Sequence, residues 1–148
     1  MTDPIVEINE CRSLFLTDIQ QPDYHTLKLV VMEGLPNGPA EPLPIGGAVI
    51  VDCTRIEVID NSRVFELIWD SYVGYAVLNE SFAGVDAEER YEGSRLRVYS
   101  KSHFIEFLSR ATFASPEYPG PTQHYKVCCE DHIIDVISIQ PPRVGKLR

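Results

Sequence analysis

Asp70, Tyr72 and Glu80 fall on even positions of one apolar stretch, FELIWDSYVGYAVLNESF, which runs from residue 65 to 82. Alternate residues of a strand share a face, so two carboxylates and a phenol there could form a groove for a cationic or hydroxyl-bearing ligand. The competing reading is a strand face that is partly solvated and a polar strand end, Asn79-Glu80-Ser81, bonded to its own backbone. Asp86, Glu88 and Glu89 follow as an acidic rim. Histidines stand at 25, 103, 124 and 132, with no two spaced as a metal pair on one element. His124 and His132 lie on opposite arms of the last hairpin, where Asp131 and Cys128 or Cys129 could join them. No CxxC spacing exists, and the single CxxH, Cys129 to His132, has no second pair to complete a site, so no metal ligand is assigned. Gly-x-Ser-x-Gly, Ser-x-x-Lys, GxGxxG and GxxxxGK[ST] are all absent. Acyl transfer and phosphate cradling therefore lack their usual traces, and no catalytic residue or cofactor is assigned. An enzyme stays open, because catalytic groups converge in space and not in sequence.

The charge is more telling than the motifs. The 148 residues carry a formal −9, and residues 143–148 hold Arg143, Lys146 and Arg148 without an acid. Residues 1–142 therefore set 10 bases against 22 acids, a formal −12. Such a body repels phosphate backbones, which argues against direct nucleic-acid binding, and attracts basic proteins. Solubility alone would also account for it. No apolar run approaches the roughly 20 residues that span a bilayer, and MTDPIVEINE has acids and a proline where a signal peptide has positive charge. The expectation is a cytoplasmic protein with no membrane partner. Cys11, Cys53, Cys128 and Cys129 then read as free, buried thiols, with Cys128 and Cys129 on opposite strand faces. Oligomeric state is left open, a homodimer included.

The elements that must position these residues are mostly β. Residues 14–19 and 24–32 flank QQPD as a hairpin, 49–59 ends at the turn Asp60-Asn61-Ser62, and 95–99 is a short strand. Residues 124–129 and 133–139 form a hairpin around Glu130-Asp131-His132. Phe104, Ile105, Leu108 and Ala111 have helical spacing, with Ser100 or Ser102 as the cap and Ser115-Pro116 as the stop. Residues 5–11 fit a strand or a helical turn equally well. LPNGPAEPLPIGG, residues 35–47, has four prolines and three glycines and is expected to be an exposed loop. ASPEYPGPTQ, residues 114–123, is a second loop. The expected fold is α+β, mainly an antiparallel β-sheet of about seven strands with one clear α-helix, as a half-open barrel or a sandwich. It comprises a single globular domain over 1–140 and a loose basic tail at 141–148.

Residues 64–78 are longer than one strand usually runs. Phe65, Leu67, Trp69, Val73, Tyr75 and Val77 make the odd face almost purely apolar, so the alternation predicts one long strand, bent, with Gly74 as the bend or the point of close approach. Tyr72, Tyr75, Tyr91, Tyr99, Tyr118 and Tyr125 accompany Trp69, a composition suited to a recognition surface and equally to a β core. The blocks WDSYVGYAVLNESF, RLRVYSKSHFIEFL and HYKVCCEDHIIDVIS, within residues 65–139, resemble a group of small bacterial proteins of unassigned function, with an immunity-protein-like character. That resemblance implies a non-catalytic protein that neutralises a basic toxin domain by covering it. It transfers no residue's role. The alternative is a small enzyme or ligand-binding domain working in a groove around Asp70, Tyr72 and Glu80.

Overall fold

Asp3 accepts the Ile5 N–H at 2.9 Å and Pro4 occupies the first turn, so the ambiguous N-terminal segment is a helix, α1 (Pro4–Glu10). The computed structural model describes residues 2–148. After α1 come β1 (Leu14–Gln20), β2 (Leu27–Glu33), β3 (Leu35–Ile45), β4 (Ala48–Glu57), β5 (Val64–Trp69) and β6 (Tyr72–Asn79). A 3-10 turn (Glu80–Phe82) leads to β7 (Arg90–Glu92), β8 (Leu96–Lys101), α2 (His103–Ala111), β9 (Gln123–Cys128), β10 (His132–Ser138) and β11 (Arg143–Lys146). The described residues thus hold eleven strands and not seven, in an antiparallel α+β arrangement of three sheets with no closed barrel. Among the described residues no helix is long and apolar enough to cross a membrane.

The first sheet has the order β1-β2-β5-β11 and the second β6-β10-β9-β8-β7. One core joins them. Leu14, Leu27, Leu29, Val31, Phe65, Leu67 and Trp69 come from the first sheet, and Leu96, Tyr125, Val127, Ile134 and Val136 from the second. Each set sits at alternate positions, as a sheet with one buried face requires. Trp69 is fully buried, its ring 6.1 Å from that of Tyr125 across the two sheets. The β9–β10 turn ties the layers together where Glu130 N–H donates to Leu14 O and Asp131 accepts from Leu16 N–H.

Three expectations are corrected. The stretch from 64 to 78 is not one bent strand, because the chain leaves the first sheet at Asp70-Ser71 and enters the second at Tyr72. Asp70 takes a two-pronged ion pair from Arg143 at 2.8 and 3.0 Å, and Ser138 Oγ donates to Ser71 O, which fixes the corner. Residues 141–148 are not a loose tail, for β11 completes the first sheet along β5 and Val144 packs on the core. Residues 35–47 are exposed but not a loop. They form β3, paired only with β4 in a two-stranded arm that turns at Gly46-Gly47. Proline lacks the N–H that a ladder needs, which excludes central strands but permits this edge. The arm leaves Leu43, Ile45, Val49, Ile50 and Val51 exposed.

Helix α2 lies on the outer face of the second sheet. Ser102 caps it, accepting the Ile105 N–H at 3.2 Å, and Leu108 fits over Gly74, where a Cβ would meet Leu108 Cδ1 at 2.9 Å. Gly74 is therefore the close approach and not the bend. An apolar cavity of about 220 Å³ remains between α2, the 112–122 loop and Ile137.

Candidate functional site

Asp86, Glu88 and Glu89 occupy the exposed connection between the 3-10 turn and β7, and the start of α2 draws them together. The Asp86 carboxylate pairs with His103 Nε2 and also accepts the Glu88 N–H at 2.8 Å. Glu89 accepts the His103 N–H at 3.1 Å, satisfying one of the free donors of the helix N-terminus. Glu106, one turn along α2, faces the same shallow pocket, and its carboxylate stands 3.9 Å from His103 Nδ1. The hydrogen bonds from Glu88 N–H and His103 hold the Asp86 carboxyl below its ordinary range. Reciprocally, the bond to Asp86 raises the His103 pKa above the usual imidazole value. Single ligand atoms of Asp86, Glu88 and His103 lie within 4.8 Å of one another, but all three residues are exposed, and such groups are common at surfaces without an ion.

Asp70, Tyr72 and Glu80 are not brought together. Asp70 is engaged by Arg143 at the corner between the sheets. Across β6 the register slips opposite Ile137 and Ser138, so Tyr72 turns inward beside Tyr75, ring centroids 5.4 Å apart and edge to face. Glu80 lies beyond the far end of the strand, in the 3-10 turn capped by Asn79, whose side chain accepts the Ser81 N–H. His124 and His132 also stay apart, since His124 pairs with Ile137 in the ladder while His132 opens the opposite end of β10. Cys11, Cys128 and Cys129 are buried and Cys53 half-buried, all as free thiols. Burial pushes the Cys11 thiol up to about 11, and Glu33 beside it adds to the shift.

A buried polar chain escaped the sequence reading. His124 Nδ1 lies 2.8 Å from Ser102 Oγ and its Nε2 lies 2.7 Å from Asp135 Oδ1. The bonds are satisfied with Nε2–H donating to Asp135 and the Ser102 hydroxyl donating to Nδ1. Tyr99 stacks on the imidazole at 4.5 Å and Phe104 tilts against it at 5.3 Å. The order serine, histidine, aspartate is that of a nucleophilic triad. Here Ser102 is 4% exposed and His124 1%, and the hydroxyl oxygen already accepts from Ile105. What the chain does is clamp α2 to the sheet, and by way of Asp135 it reaches Lys126 at 3.7 Å. Its one trace in the sequence is that Ser102, His124 and Asp135 all fall on the strand face opposite the core or on the cap beside it.

Comparison with known proteins finds no matching family model, no similar curated protein and no similar solved structure.

Proposed function

We propose that the protein is a non-catalytic, cytoplasmic binding protein whose acidic edge at Asp86, Glu88 and Glu89 takes a basic protein partner, in the manner of an immunity-type inhibitor of a basic toxin domain. One observation carries this reading. Four acids (Asp86, Glu88, Glu89 and Glu92) stand against the single base Arg90 within seven residues, and Glu106 joins them beside His103. Two of the carboxylates are already oriented by hydrogen bonds, so a partner orders little by binding them. The overall −9 adds a long-range field of the same sign.

A pull-down from native cytoplasm at low salt should recover a basic protein, with an on-rate that falls as salt shortens the Debye length from about 30 Å at 0.01 M to about 8 Å at 0.15 M. Reversing Glu88 and Glu106 to lysine should slow association far more than it speeds dissociation, with folding nearly unchanged. A partner whose on-rate ignores both salt and the reversals, or no basic partner at all, would overturn the reading. The alternative, a small enzyme or ligand site at Asp70, Tyr72 and Glu80, loses support because those side chains point to three different places.

A further inference from the structure

Register sorts the outer face of the second sheet into rows. Tyr99, His124, Ile137 and Gly74 form the row beneath α2. Arg97, Lys126, Asp135 and Ala76 form the next, and Cys128, Ile133 and Leu78 the one beyond. No helix covers these last two rows. They floor a groove of about 310 Å³, walled by residues 83–85 after the 3-10 turn.

Three cations of this acidic chain meet there. Arg95, Arg97 and Lys126 line the groove together with Glu80 and Glu130, and among the described residues neither guanidinium has a carboxylate within 4.0 Å. Arg95 Nε is enclosed and lacks any hydrogen-bond partner, an orphan donor of the kind that native proteins rarely leave. The Arg97 and Lys126 side chains are held in place before any ligand arrives, and so is the backbone that carries Arg95. Gly93, at φ +93, turns the chain into β8 where a Cβ would lie 2.2 Å from Leu96 O. The Asn9 side chain of α1 accepts the N–H groups of Ser94, Arg95 and Leu96 at 2.9–3.0 Å. Arg97 lies 4.2 Å over the Tyr91 ring and donates from Nε to Ser94 O. Lys126 is anchored by Asp135, and so by the buried chain through His124 to Ser102.

We propose that this groove binds a small organic anion, its phosphate or carboxylate head taken by Arg95, Arg97 and Lys126 and its apolar body lying on Cys128, Ile133 and Leu78. Guanidinium forks match planar or tetrahedral oxyanions, and an ammonium adds a point charge beside them. Leu78 is half-exposed and Ile133 and Cys128 nearly enclosed, which offers the apolar body one open side and one closed side. The thiol feels the same cations. Burial raises the Cys128 pKa, and Arg97, Lys126 and Arg95 each work against that rise. The groove is separate from the acidic edge, so the two sites fail or succeed independently.

The test titrates the full chain at low ionic strength with hexyl phosphate, hexanoate and inorganic phosphate, followed by calorimetry and by amide shifts in NMR. The expected result is saturable one-to-one binding, with shifts confined to residues 83–85, 95–97, 126–128 and 133. Hexyl phosphate or hexanoate should bind about tenfold or more tighter than inorganic phosphate, and the tighter of the two names the head group. Arg95→Gln with Arg97→Gln should weaken binding about tenfold or more, while Lys28→Gln on the other sheet should not. Absence of saturation at millimolar ligand, or shifts scattered over the surface, would overturn the proposal. So would affinity indifferent to the paired substitution. If that variant does not fold, the shift map of the unaltered chain decides alone.

Discussion

Two residues show how differently burial and exposure convert into consequence. Trp69 has no solvent contact and binds the two sheets through Tyr125, so Trp69→Ala removes a large apolar body that the rigid strands around it cannot close over. Such truncations cost about 3–5 kcal/mol, and chemical denaturation should show the midpoint fall accordingly. An unchanged midpoint would contradict its place in the core. His103 is exposed, and its effect is one of titration. Because Asp86 raises its folded pKa, the pair contributes fully below the ordinary imidazole value, and the contribution fades as pH rises through the raised one. An NMR titration should place the His103 midpoint above 6.5, and Asp86→Asn should bring it back down. A midpoint at or below the ordinary value in the unaltered chain would remove the contact that orders the acidic edge.

At the scale of elements, the same alternation that made the core readable concealed where the chain changes layers. Phe65, Leu67 and Trp69 were correctly read as one apolar face because burial on one side of a sheet imposes a period of two. Asp70-Ser71 looked like an interruption within that period, since nothing local distinguishes a bend from a corner whose decisive partner, Arg143, lies 73 residues away. β11 was hidden for a related reason. Apart from Val144 its residues, Arg143, Gly145 and Lys146, have weak strand preference, and pairing with β5 supplies the order. Removing residues 141–148 should therefore cost about 2–4 kcal/mol in lost ladder bonds and Val144 packing, where a loose tail would cost nothing. The α2 cap was legible because Ser102 and the helical spacing are local signals. What the helix covers was not. Gly74→Val should drive Leu108 off the sheet and lower stability by about 1–3 kcal/mol in urea unfolding, and a neutral result would show that α2 has slack above β6.

For the whole molecule, acidic residues were easy to count, whereas the cationic groove needed β8 and β9 in register before Lys126 could be seen as a neighbour of Arg95 and Arg97. Of the candidate residues, Asp86, Glu88 and Glu89 were contiguous enough to be found from sequence. Asp70, Tyr72 and Glu80 shared parity but not a face, because a corner and a register slip intervene.

The β3–β4 arm carries a topological consequence. It reaches out between β2 and β5, which are themselves paired from Leu27–Trp69 to Met32–Val64 at the heart of the first sheet. A protease that cuts after small aliphatic residues has Ala48, Val49, Ile50 and Val51 within reach at the tip. Cutting there severs one covalent thread and none of the core contacts. The two pieces should travel as a single particle in gel filtration and part only in denaturant, so the molecule is, in effect, already a complex of two interlocked fragments joined by a removable handle. Pieces that drift apart in plain buffer would mean that the arm itself holds the layers shut.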